Sequence, residues 1–286
     1  MTYAPAAPSL ADMLRGFSIE LNPGDKKIVQ TAVAGLAPGT QVFLTWVPGV
    51  NPMNMIGAAA KLRRAGLLPV PHIAARHLAS SAQLRQLADC LANEAGVDRI
   101  LIVGGDCAEP VGPFDSTLAV LQTEVFQQAG IRRIGIGGFP EGNPSIPDGV
   151  LDEALDAKLR FGRSHGLDLF IVTQFCFTAE PIVKWLKRIR GSGIDVPVRV
   201  GLAGPASLIT LTRYAIRCGI GNSLHVLTEN PTFARLLTEK GPEPIIRGIA
   251  AASSDGAIPL GIAGLHFFVF GGFSKTVDWI QTHRAR

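Results

Sequence analysis

The sequence predicts an α/β protein with the architecture of a (β/α)8 TIM barrel, formed by residues 1–286 as a single domain. Three observations support this fold. Short apolar runs typical of buried parallel strands recur eight times and alternate with longer segments of helical period. Eight such units in about 250 residues match a barrel in number and length. Finally, no Pro-rich or Ser-rich linker divides the chain.

The strands are predicted in the following order: GFSIEL (16–21), TQVFLTW (40–46), LLPVPHIAA (67–75), RILIVGG (99–105), RIGIGGF (133–139), LDLFIVTQFCF (167–177), PVRVGLAG (197–204) and IPLGIAGLHFFVF (258–270). Predicted helices between them include MNMIGAAAKLRRAG (53–66), SAQLRQLADCLANEAG (81–96), DEALDAKLRFGRSHG (152–166), AEPIVKWLKRIRGSG (179–193) and SLITLTRYAIRCG (207–219). Most of these helical segments end in glycine, which allows a helix to stop in the left-handed conformation before the next strand.

Composition narrows the class of protein. The chain has 47% hydrophobic residues and a net charge of +4 from 27 basic and 23 acidic residues, without a run of like charges. Nucleic acid is therefore not an expected partner. No apolar run approaches the roughly 20 residues that span a bilayer, and no signal-like segment begins the chain. We therefore expect a soluble, cytoplasmic protein without membrane contact, and a homo-oligomeric assembly stays open.

The cysteines predict neither disulfides nor a metal site. The four residues, Cys90, Cys107, Cys176 and Cys218, lie far apart and lack metal-ligand spacing, so reduced and mostly buried thiols are expected. Cys107 lies beside the predicted site, and its role stays open.

Polar residues end several of the predicted strands. Because active sites of barrels form at the carboxyl ends of the strands, these residues should meet on one face. They are Glu20, Thr45, His72, Asp106, the FPEGN loop after strand five (139–143) and Gln174. Each also has a structural interpretation. Glu20 could be a solvated strand end, His72 a core histidine, and Asp106 the N-cap of the next helix.

In this order the segments resemble the methylenetetrahydrofolate reductase family of flavin-dependent barrels. The resemblance is carried by FSIELNP, a strand-two threonine, PHxxxR at residues 71–76, GGD at 104–106, FPEGNP, IVTQFCF and the final LHFF. It implies reduction of 5,10-methylenetetrahydrofolate to 5-methyltetrahydrofolate, with FAD as hydride carrier and NADH or NADPH as outer donor.

The resemblance also implies residue roles in folate chemistry. Glu20 matches the general acid that protonates N10 of the substrate, and its apolar neighbours Ile19 and Leu21 predict a raised pKa. Asp106 matches the carboxylate that lies near the flavin and binds the pterin. Gln174 and Thr210, the latter in place of a glutamine, match folate contacts. Tyr214 matches an aromatic that stacks on the benzoyl ring, although simple helix packing is an equal alternative.

The resemblance also implies a second set of residues, which contact the flavin. Backbone N–H groups after glycines can serve a diphosphate or a flavin edge. The implied residues are Thr45, His72, Gly104, Gly105, Asp106, Phe139, Asn143 and Lys158, with Arg160 or Arg163 as alternatives to the lysine. Phe139 stands where the family has tyrosine and Asn143 where it has histidine. These departures remove a hydroxyl and an imidazole, and with them their hydrogen bonds to the flavin.

The sequence therefore predicts a methylenetetrahydrofolate reductase, with oxidation of methyltetrahydrofolate in a demethylation pathway as the reverse use of the same site. Three alternatives stay open. The first is a flavin-independent reductase of the same family. The second is another flavin barrel such as a proline dehydrogenase, and the third is a non-catalytic folate- or flavin-binding subunit.

Overall fold

The computed structural model describes residues 7–218, 229, 231–254 and 259–285. It contains a closed barrel of eight strands in sequential order, and neighbouring strands pair in parallel from the first to the fifth and between the seventh and the eighth. The predicted fold class is thus confirmed. The strands are β1 (Ser18–Leu21), β2 (Gln41–Leu44), β3 (Leu68–Ala74), β4 (Arg99–Val103), β5 (Arg133–Gly138), β6 (Asp168–Thr173), β7 (Val198–Ala203) and β8 (Ile262–Phe268).

The described helices alternate with the strands. They are α1 (Leu10–Met13), α2 (Lys26–Gly35), α3 (Asn54–Arg64), α4 (Ser81–Asn93), α5 (Thr117–Leu121), α6 (Val125–Gln128), α7 (Asp148–Ser164), α8 (Ala179–Gly191), α9 (Leu208–Cys218), α10 (Pro231–Lys240), α11 (Glu243–Ser254) and α12 (Phe273–Arg284). A 3-10 turn, Ala75–His77, follows β3. None of the helices in this part of the chain has both the length and the apolar character needed to cross a membrane.

Local signals in the sequence explain where several helices begin and end. Asp25 accepts hydrogen bonds from the N–H groups of Lys27 and Ile28 and so caps α2, and Ser80 caps α4 in the same way. Gly66, which follows α3, has φ +78°, a conformation that few other residues adopt without strain.

The chain forms two compact units. The first, here called the β1–β5 unit, comprises Ser18–Gly137 and Asp152–Ile171, and the second, the β7–β8 unit, comprises Met1–Phe17, Gly138–Leu151 and Val172–Arg286. In the β1–β5 unit a Cβ on Gly135 would lie 2.7 Å from the ring of Phe170 and 3.0 Å from Cδ1 of Leu101. Gly135 therefore leaves the space that these two side chains fill.

The β7–β8 unit has a buried histidine in its core. His266 on β8 is fully buried, and burial together with the nearby Arg199 lowers the pKa of its imidazole to about 3. Arg199 donates a hydrogen bond to the carbonyl oxygen of Gly16 at 3.0 Å. The imidazole is therefore neutral at physiological pH and acts as a core residue.

The cysteines match the prediction only in part. Cys90, Cys107 and Cys176 are free thiols, as expected. Cys176 is buried, but Cys90 and Cys107 are only half-buried. The side chain of Cys218 lies outside the described residues. The interpretation as buried structural thiols therefore fits Cys176 and not the other two.

Candidate active site

The innermost predicted residues, Glu20 and His72, come together in the β1–β5 unit. Glu20 lies in β1, where all four residues are buried, and His72 lies in β3. Glu20 Oε1 lies 3.7 Å from His72 Nε2, and both residues are buried. The ring of Phe43, which pairs in register with Glu20, meets the imidazole edge to face at 5.9 Å. A buried carboxyl group and a buried imidazole thus lie next to each other, with an aromatic ring against the imidazole.

Burial changes the acidity of Glu20. Desolvation raises the pKa of its carboxyl group from 4.5 to about 7, and the neighbouring His72 partly offsets that rise. The apolar neighbours in the sequence predicted this direction. A carboxyl group with such a pKa holds a proton near neutral pH and can also release it, which is the property required of a general acid.

Asp106 forms a different cluster. Its Oδ1 lies 2.7 Å from Nε2 of His77, and Sγ of Cys107 lies 3.1 Å from the same nitrogen. The helix after this loop begins at Thr117 and is capped by Ser116, so Asp106 is not its N-cap. His77 was not among the predicted site residues, because its contact with Asp106 joins positions 29 residues apart.

Arg76 holds the loop that carries Asp106. Its guanidinium donates to the carbonyl oxygens of Cys107, Ala108 and Asp115. Its own backbone N–H donates to Gly104 at 2.9 Å, and its carbonyl accepts from Val111 at 2.8 Å. The sequence pattern included Arg76 without giving it a role. Its role is to position this loop.

The position before Asp106 requires glycine for both a conformational and a steric reason. Gly105 adopts φ +99°, and a Cβ there would lie 3.0 Å from Cδ2 of His77. Gly104 differs, because a Cβ at this position would meet no atom within 4 Å. The GGD motif therefore consists of one glycine that is required by packing and one beside open space.

Two further predicted flavin residues lie in the β1–β5 unit. Thr45 follows β2 and donates its hydroxyl to the carbonyl oxygen of Leu21 at 3.2 Å. Lys158 lies half-buried in α7, and desolvation lowers the pKa of its ammonium group to about 8. Its alternative Arg160 is paired with Asp156 on the same helix. Lys158 is therefore the better placed of these two cations to bind an anionic group.

The other predicted residues lie in the β7–β8 unit, and local hydrogen bonds engage several of them. Phe139 is half-buried, and Asn143 accepts a hydrogen bond from the N–H of Ser145 at 2.9 Å, which shapes the loop after β5. Gln174 follows β6, and its amide oxygen accepts from the N–H of Phe175 at 3.1 Å. Thr210 shares a hydroxyl contact of 3.0 Å with Ser207 in the first turn of α9.

Tyr214 belongs to an aromatic cluster. Its ring stacks on Phe270 at a centroid distance of 4.3 Å, and Phe270 in turn meets Phe175 edge to face at 4.9 Å. Phe270 has φ +46°, a conformation that is uncommon and strained for a bulky residue. The sequence places Phe270 at the end of a predicted strand, but β8 ends at Phe268, and Phe270 follows in a turn.

Fold and geometry define the class of protein. A (β/α)8 barrel that holds a buried carboxyl group of near-neutral pKa beside an imidazole has the elements of an enzyme with acid–base chemistry. The sequence profile named Methylenetetrahydrofolate reductase matches residues 35–226, which is more than half of the chain. The protein belongs to the methylenetetrahydrofolate reductase family.

Individual relatives are more distant. A 5,10-methylenetetrahydrofolate reductase of Pectobacterium carotovorum is 28% identical over 153 residues, covering 53% of this chain and 49% of the relative. Methylenetetrahydrofolate reductase 1 of Schizosaccharomyces pombe is 35% identical over 69 residues, covering 24% of this chain and 11% of that protein. The matches thus span half or less of these relatives.

A solved structure supports the fold. An uncharacterized protein from Clostridium thermocellum, described as binding two copies of 5-methyl-5,6,7,8-tetrahydrofolic acid, superposes with a TM-score of 0.60. The match covers 94% of both chains at 14% sequence identity. This likeness concerns the fold alone.

Proposed function

We propose that the protein is a methylenetetrahydrofolate reductase, a cytoplasmic oxidoreductase that converts 5,10-methylenetetrahydrofolate to 5-methyltetrahydrofolate. FAD carries the hydride, and NADH or NADPH supplies it. The observation that supports this most strongly is the Glu20 carboxyl group, buried at the end of β1 beside His72 with a pKa near 7. The match to the family profile gives this acid a defined reaction.

Glu20 acts as the acid that opens the substrate ring. A proton on its carboxyl group passes to N10, the bond from the bridging methylene carbon to N10 breaks, and an iminium forms at N5. Phe43 on β2 and the buried residues of β1 limit the access of water to the carboxyl group of Glu20. This keeps the proton available near neutral pH. His72 stabilises the carboxylate that remains after transfer, because its imidazole lies 3.7 Å away.

Asp106 binds the pterin. Its side chain is 59% exposed and can accept hydrogen bonds from the amino and ring N–H groups of an incoming ligand. Arg76 and His77 hold the loop and the carboxylate in place before substrate arrives. In the β7–β8 unit, Gln174 and Tyr214 are the proposed folate contacts, and Thr210 is a weaker candidate because its hydroxyl already bonds to Ser207.

The β1–β5 unit suits FAD in three respects. Space is open at Gly104, the backbone there is accessible, and the half-buried Lys158 offers a cation for a diphosphate. Thr45, His72 and Gly105 complete the proposed contacts in this unit. For Phe139 and Asn143, which belong to the β7–β8 unit, a role in flavin binding stays a prediction of the family resemblance. When bound, FAD supplies the hydride that reduces the folate iminium. The protein residues hold the cofactor and deliver the proton.

An anaerobic experiment tests this function. The purified protein is titrated with FAD, reduced with NADH or NADPH, and then mixed with 5,10-methylenetetrahydrofolate while flavin absorbance is followed. We expect bleaching by the nicotinamide and recovery of the oxidised spectrum on folate addition, with 5-methyltetrahydrofolate as product. Mixing 5-methyltetrahydrofolate with the oxidised protein tests the reverse, oxidase direction.

Each alternative gives a different result. Consumption of NADH with folate but without bound flavin would identify direct hydride transfer, as in a flavin-independent reductase. Binding of FAD or folate without any turnover would identify a non-catalytic binding subunit. Reduction of the flavin by proline instead of a nicotinamide would favour a proline dehydrogenase. No response to flavin or folate would contradict the proposal.

A further inference from the structure

The cluster of His77, Asp106 and Cys107, here called the rim cluster, combines three kinds of metal-binding atom. Nε2 of His77 lies 2.7 Å from Oδ1 of Asp106, and Sγ of Cys107 lies 3.1 Å from Nε2 and 3.2 Å from Nδ1. All three ligand atoms lie within 4.8 Å of one another. Within residues 7–218, 229, 231–254 and 259–285, this is the one group of three such residues that meets this criterion.

The fold holds these side chains together from two strand ends. His77 closes the 3-10 turn after β3, and Asp106 and Cys107 follow β4, which pairs with β3. Arg76 ties the two segments by donating to the carbonyl oxygen of Cys107. Gly105 leaves room for the imidazole ring. The backbone therefore places the three residues next to one another.

We propose that the rim cluster binds a divalent cation of the Zn²⁺ class through Nε2 of His77, Oδ1 of Asp106 and Sγ of Cys107. A thiolate and an imidazole are ligands that Zn²⁺ and similar borderline-soft cations prefer, whereas Mg²⁺ and Ca²⁺ require oxygen. Two anionic ligands balance the charge of the cation. The thiol proton of Cys107 passes to solvent when the sulfur binds, and the imidazole proton of His77 moves from Nε2 to Nδ1 so that the lone pair of Nε2 faces the cation.

The geometry requires a rotation of the Cys107 side chain. Ligand atoms around a tetrahedral Zn²⁺ with bonds of about 2.0 to 2.3 Å lie roughly 3.3 to 3.8 Å apart. The 2.7 Å between Nε2 and Oδ1 widens by less than about 1 Å to admit the ion. Sγ of Cys107 lies almost equally far from Nε2 and Nδ1 and so faces the imidazole ring, and its side chain has to rotate to bring Sγ in front of Nε2. The exposed side of Asp106 leaves the fourth position to water, the arrangement of zinc sites that remain open to other ligands.

Binding would also regulate the proposed reaction. Asp106 is the residue proposed to hold the pterin, so a cation on its carboxylate competes with folate. This consequence rests on the proposed function, whereas cation binding does not. The two are distinguished because the cation is titrated spectroscopically without folate, flavin or nicotinamide.

Cobalt provides the direct probe. The reduced protein, freed of metals by chelation and gel filtration, is titrated with Co²⁺ and then with Zn²⁺. We expect one equivalent of Co²⁺ to give tetrahedral visible bands and a sulfur-to-cobalt charge-transfer band in the near ultraviolet, and Zn²⁺ to displace both. Cys107→Ser should abolish the charge-transfer band, and His77→Ala should weaken Zn²⁺ binding at least about tenfold, since even outer-shell partners are worth this much.

Cys90→Ser is the matched control, because Cys90 is also a half-buried free thiol but lies on α4 outside the cluster. It should leave the spectrum and the Zn²⁺ affinity unchanged. Asp106→Asn gives a second test that removes one ligand with little change in shape. Circular dichroism verifies that each variant is folded. A spectrum that survives Cys107→Ser, or no cobalt bands at millimolar Co²⁺, would overturn the proposal.

Discussion

Two carboxylate–histidine pairs lie in the β1–β5 unit, and they differ in nearly every physical respect. Glu20 and His72 have side chains that are 12% and 11% exposed, with 3.7 Å between the closest atoms. Asp106 is 59% exposed and His77 13%, and these two are joined at 2.7 Å. The inner pair is buried and loosely joined, whereas the outer pair is exposed on one side and hydrogen-bonded.

The difference shows how one set of strand ends can provide two kinds of chemistry. Burial disfavours the charged form of a carboxyl group, so the inner residue retains a proton and can donate it. An exposed and hydrogen-bonded carboxylate is instead an acceptor for a ligand. We therefore expect changes in the inner pair to affect the rate of chemistry and changes in the outer pair to affect binding.

The largest expected effect is the loss of catalysis in Glu20→Gln. Glutamine retains the shape of the side chain but has no acidic proton, so kcat for methylenetetrahydrofolate reduction should fall by about 10² to 10⁴-fold. Reduction of the flavin by NADH should remain near the wild-type rate, because this half-reaction does not need the acid. Rapid-mixing absorbance measures both steps. An unchanged rate of folate reduction would remove Glu20 from the acid role.

The inner pair should also make stability depend on pH. The folded-state pKa of Glu20 is raised from 4.5 to about 7, so its stabilising effect is fully present below about pH 4.5 and is lost as the pH rises through 7. The difference of about 2.5 between these two pKa values corresponds to about 3 kcal/mol in the free energy of unfolding. Urea unfolding of wild type and Glu20→Gln at pH 5 and pH 8 measures this.

The expected result is that wild type loses stability relative to Glu20→Gln between those two pH values. A difference between the two proteins that does not change with pH would mean that Glu20 is ionised throughout this range. In that case the carboxyl group could not supply a proton near neutrality.

The outer pair should show its effect in binding. Asp106→Asn keeps the size of the side chain but removes the charge that strengthens hydrogen bonds to the pterin. Such bonds contribute about 1.5 to 3 kcal/mol, so the KM for folate should rise roughly 10 to 100-fold. Asp115→Asn is the matched control, because Asp115 is an exposed carboxylate on the same loop. Equal KM values in the two variants would contradict pterin binding by Asp106.

Sequence reasoning predicted the barrel and the raised pKa of Glu20, because both depend on local patterns, but it did not predict the contact between Glu20 and His72. Eight apolar runs alternated with helical segments, and Glu20 stood between Ile19 and Leu21, which foretold its burial. Of the outer pair, the sequence analysis named Asp106 but not His77. His77 reaches Asp106 across 29 residues, and no periodicity reports a contact between two loops.

Some contacts that the sequence could have shown were also missed. Asn143 and Ser145 form a local turn, and Ser207 and Thr210 share a helix cap, both of which are common uses of these residue types. These local bonds engage Asn143 and Thr210, two side chains that the family resemblance also assigns to ligands. Phe270 ends a run of apolar residues that resembles a strand, and no feature of that run predicts the strained backbone at this residue.

The smallest effects are expected at the two glycines before Asp106, where one substitution tests packing and the other tests flavin binding. Gly105→Ala places a side chain at φ +99° and 3.0 Å from His77, so the free energy of unfolding should fall by about 1 to 2 kcal/mol. Gly104→Ala meets no atom within 4 Å and should change stability by less than about 0.5 kcal/mol. Its methyl group would nevertheless occupy the open space proposed for FAD, so flavin affinity should fall in this variant. Thermal unfolding and flavin titration of both proteins measure the two effects. Equal loss of stability in the two variants would contradict a specific packing requirement at Gly105, and undiminished flavin binding by Gly104→Ala would place the cofactor away from this loop.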